Sequence, residues 1–179
     1  MKKILGTFLF KVLLGYRLRG SLPDLPKYVL IGAPHTSNWD FWIGLGIRLM
    51  TDTPLRFIGK RSLFKWPHGW FFRLVGGIPI NREDAGKNKV DAIATLFHTR
   101  DALKLAIAPE GTRSETDGWK TGYYWIAVKA NVPIVPLRHD RPGQRVIINE
   151  PFYPTGNYAA DARRLQLLYP TSQIVGEGQ

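Results

Sequence analysis

Strands alternating with helices predict an α/β fold: a single domain with a mixed, largely parallel sheet flanked by helices. Three observations carry that expectation. Apolar runs at 28–33 and 133–137 have strand length and are punctuated by proline. Stretches with helical periodicity, 40–50 and 86–99, lie between such runs. The chain has 179 residues, 44% of them hydrophobic, enough for one core of ordinary size.

The elements follow in order. Residues 1–20 read as an N-terminal membrane-interface helix, which starts Lys2-Lys3 and is interrupted by Lys11. Wound as a helix, it gathers Ile4, Leu5, Phe8, Leu9, Val12, Leu13 and Tyr16 on one broad face. Lys3, Lys11 and Arg17 fall on the other side, together with Phe10, Leu14 and Leu18, so the amphipathicity is imperfect. Such a helix lies in one leaflet of a membrane or packs on the core, and the pattern alone admits both. No run reaches the ~20 apolar residues of a spanning helix, and Lys11 spoils a signal peptide. Pro23 and Pro26 open a connector. Strands are then expected at 28–33, 55–59, 78–80, 105–108, 133–137 and 145–149. Helices are expected at 40–50, 86–99, 123–130 and 157–168, with Asn38 placed to cap the first. The segment 63–75 mixes Phe64, Trp66, Trp70, Phe71 and Phe72 with Lys65, His68 and Arg73, and gives no clear element. The domain proper is expected over 21–173, followed by a tail at 174–179.

Composition narrows the functional classes. Lys and Arg number 25 against 14 Asp and Glu, a formal charge of +11. A field of that sign attracts nucleic acid, anionic lipid, coenzyme A and acidic carrier proteins alike. Aromatics beside cations suit a bilayer interface, and they also suit stacking on bases. The chain has no cysteine, which removes disulfides, thiolate metal ligands and a Cys nucleophile together. No His-x-x-x-His or Asp-rich cluster is present, so no metal is expected.

Three polar blocks can carry chemistry. In His35-Thr36-Ser37-Asn38-Trp39-Asp40, a neutral imidazole can take a hydroxyl proton near neutral pH. A carboxylate on its other ring nitrogen would fix the tautomer and stabilise the imidazolium. Ser37 lacks the flanking glycines of a nucleophile elbow. In Gly76-Gly77-Ile78-Pro79-Ile80-Asn81-Arg82, a guanidinium after a short strand can hold a phosphate. In Pro109-Glu110-Gly111-Thr112-Arg113-Ser114, glycine lets backbone N–H groups approach an anion. Glu110 there can accept a hydrogen bond from a glycerol hydroxyl. Taken singly, each block also reads as an ordinary polar turn.

The order and spacing of these blocks, completed by Val132-Pro133-Ile134-Val135-Pro136-Leu137, resemble the glycerolipid acyltransferase family, which includes the 1-acylglycerol-3-phosphate acyltransferases. The resemblance implies His35 as general base with Asp40 as its orienting partner. It implies Arg82 as a ligand of the acceptor phosphate. Glu110 and Gly111 would bind the acceptor, supported by Thr112 and Arg113, and more loosely by Lys120. The third block opens with Ala108 where the family often has Phe. The implied reaction moves a fatty acyl group to the hydroxyl of a lysophospholipid, with no cofactor. Acyl-CoA or an acidic acyl-carrier protein serves as co-substrate. The partners expected are that donor, the lysophospholipid and an anionic membrane surface, not nucleic acid. The implied location is the cytoplasmic face of a membrane, peripheral or monotopic. The rival readings are a basic binding module for nucleic acid or membrane without catalysis, and a thioesterase-like hydrolase using water.

Overall fold

The computed structural model describes residues 2–34, 39–80, 88–110 and 119–169. Seven strands form one sheet: β1 (Arg17–Arg19), β2 (Lys27–Ala33), β3 (Leu55–Lys60), β4 (Gly77–Ile80), β5 (Leu103–Ile107), β6 (Ile134–Asp140) and β7 (Arg145–Ile148). Their spatial order is β1-β7-β6-β2-β5-β3-β4. β6 and β7 pair antiparallel, and the other neighbours pair parallel. The sheet is therefore mixed and largely parallel, as the alternation of strands and helices predicts.

Period-two alternation sorts the strand residues between two cores. From β2, Tyr28 and Leu30 face one side with Ile43 and Ile47 of helix α2 (Trp39–Met50). Val29, Ile31 and Ala33 face the other. That second core is covered by helices α4 (Asn88–His98), α5 (Gly122–Ala130) and α6 (Tyr158–Gln166). Both faces are buried, which is why β2 reads as a continuous apolar run rather than an alternating one. Asn157 caps α6 by accepting the Ala160 N–H at 3.3 Å. The aromatic segment without a clear element forms a short 3₁₀ turn, Arg61–Phe64, and helix α3 (Gly69–Leu74). Phe71 and Phe72 of α3 pack at steep ring angles against Phe41 of α2.

The N-terminal segment departs from expectation in its extent. The helix does not run through Leu18. It is α1 (Lys2–Thr7) continued as a π-helix, Phe8–Leu13, and Arg17–Arg19 then joins the sheet edge as β1. Of the two placements that the pattern admits, the broad apolar face takes the outward one, and the side bearing Phe10 meets the protein. Phe10 is fully buried, with Leu14 and Leu18 packed against the same core, while Ile4, Leu5, Phe8, Val12 and Leu13 are all exposed. The segment thus carries two apolar stripes, and this accounts for its imperfect amphipathicity. Gly6 permits the inner stripe to seat: a Cβ there would lie 2.2 Å from the Met50 backbone nitrogen of α2. No helix among the described residues is long and apolar enough to cross a membrane.

Candidate functional site

The parallel strands end together. β2 and β5 are neighbours in register, with Ile31 beside Ile107, and Ala33 of β2 lies beside Arg138 of β6. The segments following β2 and β5 therefore depart from one edge of the sheet, where sites of α/β folds collect. These segments contain the His35 and Glu110 blocks.

Of the residues singled out from sequence, Asp40, Glu110 and Lys120 are described. His35, Arg82, Gly111, Thr112 and Arg113 lie outside the described residues. Glu110 is half-buried beyond β5. Lys120 is exposed, and its backbone N–H donates to the Pro109 carbonyl at 2.8 Å, which brings it beside the Glu110 turn. The Glu110 charge reaches Tyr169, whose hydroxyl donates to the Ile31 and Leu137 carbonyls at 3.3 Å each. Burial first, and Tyr123 and Glu110 after it, push the Tyr169 hydroxyl above its ordinary range.

Asp40 sits in the first turn of α2, where a carboxylate complements the helix dipole. Its side chain is 9% exposed. His139 of β6 approaches Oδ1 through Nδ1 at 3.2 Å. Arg141, just past β6, donates from one terminal nitrogen to Oδ1 at 3.0 Å and to Oδ2 at 3.3 Å. Behind the imidazole, His139 Nε2 meets the Tyr16 hydroxyl at 2.7 Å. An ionised carboxylate only accepts, so the hydrogen between His139 and Asp40 sits on Nδ1. Burial raises the Tyr16 hydroxyl above its ordinary value.

His139 and Arg141 were missed from sequence because strand β6 was expected to end at residue 137, and Tyr16 because it was placed on the apolar face of an N-terminal helix. Its alternation runs on: Val135 and Leu137 belong to the α2-side core, and His139 continues that face. A histidine in phase with buried strand positions was the available signal.

A second feature lies at the ends of β3 and β4. A cleft of about 490 Å³ is lined by Arg61, Lys65 and Arg73 over Phe64, Pro79, Ile80 and Ala92. Arg73 is anchored by donating to the Phe64 carbonyl at 3.0 Å, with its guanidinium 5.6 Å from the Phe64 ring centroid.

Residues 19–140 match the family model described as Acyltransferase. The chain belongs to the acyltransferase family. The four sequence blocks, from Ala33 to Leu137, fall inside that match. Among acyltransferases of this family, the chain is 30% identical over 122 residues to the 1-acyl-sn-glycerol-3-phosphate acyltransferase of Salmonella typhimurium, covering 65% of this chain and 49% of that protein. It is 30% identical over 145 residues to the human 1-acyl-sn-glycerol-3-phosphate acyltransferase beta, covering 75% of this chain and 51% of the relative. The chain thus spans about half the length of these curated relatives. In fold it is similar to the crystal structure of the 1-acyl-sn-glycerophosphate (LPA) acyltransferase PlsC from Thermotoga maritima. The TM-score is 0.63 at 22% identity, over 93% of this chain and 74% of that one.

Proposed function

We propose that the chain is an O-acyltransferase that moves a fatty acyl group from a thioester donor, acyl-CoA or an acyl-carrier protein, to the hydroxyl of a lysophospholipid such as 1-acylglycerol-3-phosphate. The observation that carries this reading is the family match over residues 19–140, which contains all four blocks in order. In the proposed step, His35 takes the proton of the acceptor hydroxyl and Asp40 orients the imidazole. The freed oxygen attacks the thioester carbonyl, the C–S bond breaks, and the thiol leaves with the proton returned by His35. Positioned general-base catalysis of this kind contributes typically about 10²–10⁴-fold. Arg82, Glu110, Gly111, Thr112, Arg113 and Lys120 are assigned to the acceptor. The basic cleft at Arg61, Lys65 and Arg73 supports an anionic substrate.

The same proposal sets the reaction at an anionic membrane surface. Eleven of the fourteen exposed large apolar side chains among the described residues fall between Ile4 and Leu74. Residues 1–74 also carry twelve Lys and Arg against three Asp and no Glu. Apolar groups among cations suit insertion among anionic headgroups.

The test is thiol release from a panel of acyl-CoAs and acyl-carrier proteins, with and without lysophosphatidic acid, comparing the intact protein with His35→Ala. Acceptor-dependent release that disappears in the variant supports the proposal. Release independent of acceptor points to a hydrolase. No release with any donor refutes it.

A further inference from the structure

A carboxylate that orients a base must itself be held, and Asp40 is held from outside its own helix. α2 supplies the carboxylate. β6 supplies His139, and the turn after β6 supplies Arg141. The strand register puts Ala33, the last residue of β2, beside Arg138, so His139 lies one position further along the same sheet edge. Neither partner was part of the sequence blocks that suggest the reaction.

We infer that His139 and Arg141 are positioning residues that clamp the Asp40 carboxylate, with Tyr16 fixing the imidazole of His139 from behind. The inference rests on the reading of Asp40 as the partner of His35. The clamp is directional. His139 Nδ1 and the Arg141 nitrogen both reach Oδ1, at 3.2 and 3.0 Å, and Arg141 also bridges to Oδ2 at 3.3 Å. Three contacts from two sides define the carboxylate plane, while one contact would leave it free to rotate about its last bond. A carboxylate accepts at roughly four lone-pair sites, so the clamp is compatible with a further donor such as an imidazole N–H.

Each support is anchored in turn. The Tyr16 hydroxyl holds His139 Nε2 at 2.7 Å, and the two rings pack with centroids 5.1 Å apart. The β6–β7 turn that bears Arg141 is fastened by Asp140, which accepts from the Gly143 N–H at 3.0 Å and pairs with Arg145 at 2.7 Å. His139 is in the core-facing phase of β6 and 5% exposed, a place where an apolar residue would pack without needing a partner. A polar ring there, fully hydrogen bonded and aimed at the carboxylate, is the arrangement expected of a support that fixes a reacting group.

The experiment uses the intact protein with the donor and acceptor that give acceptor-dependent thiol release. Arg141→Gln removes the cation and Arg141→Lys restores a charged donor. His139→Leu removes the Nδ1 hydrogen and His139→Asn returns an amide N–H near its position. His35→Ala and Asp40→Asn test the underlying reading. Misplacing a catalytic group by about 1 Å can cost on the order of 10²-fold. We therefore expect Arg141→Gln and His139→Leu to lower kcat by roughly 10- to 100-fold, with KM for both substrates within about twofold. Arg141→Lys and His139→Asn should recover part of the loss. If His139→Leu fails to fold, as thermal unfolding would reveal, the Arg141 pair decides, since that side chain is 38% exposed. Unchanged kcat in Arg141→Gln and His139→Leu, with His35→Ala inactive, overturns the clamp and leaves the dyad standing. Losses that track thermal stability, with no recovery in the conservative variants, also overturn it. Full activity in His35→Ala and Asp40→Asn overturns the dyad itself.

Discussion

Replacing Phe10 by alanine tests whether the N-terminal segment is part of the domain's core. Phe10 is fully buried and shares a cluster with Tyr28, Ile43, Ile47 and Val146. It also fills the space that Gly46 leaves, since a Cβ at Gly46 would lie 3.2 Å from the Phe10 Cβ. Truncating a buried Phe to Ala costs about 3–5 kcal/mol through lost transfer energy and the cavity left behind. For a chain of this size, each kcal/mol shifts Tm by about 2–4 °C, so the expected fall is about 6–20 °C. That is a large share of a typical total stability of about 5–15 kcal/mol. The segment is held through Phe10 and leaves its outer side exposed, so it can also open locally before the sheet unfolds. Limited trypsin digestion separates the two outcomes. Faster cleavage after Lys11 at unchanged global Tm reports peeling, and a lower Tm reports loss of core. Tm within about 2 °C of the parent together with unchanged cleavage would refute the assignment of Phe10 to the core.

Three further outcomes follow from the same structure. Gly6→Val should loosen the α1 crossing over α2, because its Cβ meets backbone at 2.2 Å; hydrogen exchange in residues 2–13 should rise while β2 and β5 stay protected. Asp161 is 1% exposed, and burial works to raise its pKa. Hydrogen bonds from the Thr155 N–H and hydroxyl and from Tyr124 outweigh that and hold it below the ordinary carboxylate value. Its contribution is therefore complete above about pH 4 and lost as pH falls through the depressed folded value. Asp161→Asn should lower stability at pH 7 by about 1.5–3 kcal/mol and flatten the loss of stability as pH falls below about 4; parallel curves would refute the assignment. Trp66 and Trp70 are 93% and 66% exposed, so on anionic vesicles their emission should shift blue, and Trp66→Ala with Trp70→Ala should weaken vesicle binding at unchanged Tm.

The sheet was legible in the sequence because β2 and β6 are buried on both faces and read as continuous apolar runs. Proline and glycine marked their ends, and boundaries held to within about two residues for β2, β3, β4, β5, β7, α2, α5 and α6. β1 was hidden because three residues with exposed arginines, pairing only at an edge, carry no periodicity. Helix α3 was hidden by aromatic density, since Phe71 and Phe72 pack inward while Trp70 and Leu74 point out. In the candidate site, Asp40 was singled out from its block, and the structure gives it polar partners that the block does not name. Its supports were not, because they lie about a hundred residues away and meet it only through the pairing of β2 with β6. No local pattern encodes that approach.

The two apolar stripes of residues 2–14 make this segment a poor candidate for trimming. Cutting the chain back to residue 20 to gain solubility would remove more than a greasy handle. It would strip β1 from the sheet and leave β7 as an open edge, a template for aggregation. It would uncover Ile47 and Val146 and delete the hydroxyl behind His139. A shortened protein that stays in solution but loses turnover would be an expected by-product of that surgery. Solubility is better sought by polar substitution at Ile4, Phe8 and Val12, whose side chains face outward and leave the inner stripe intact.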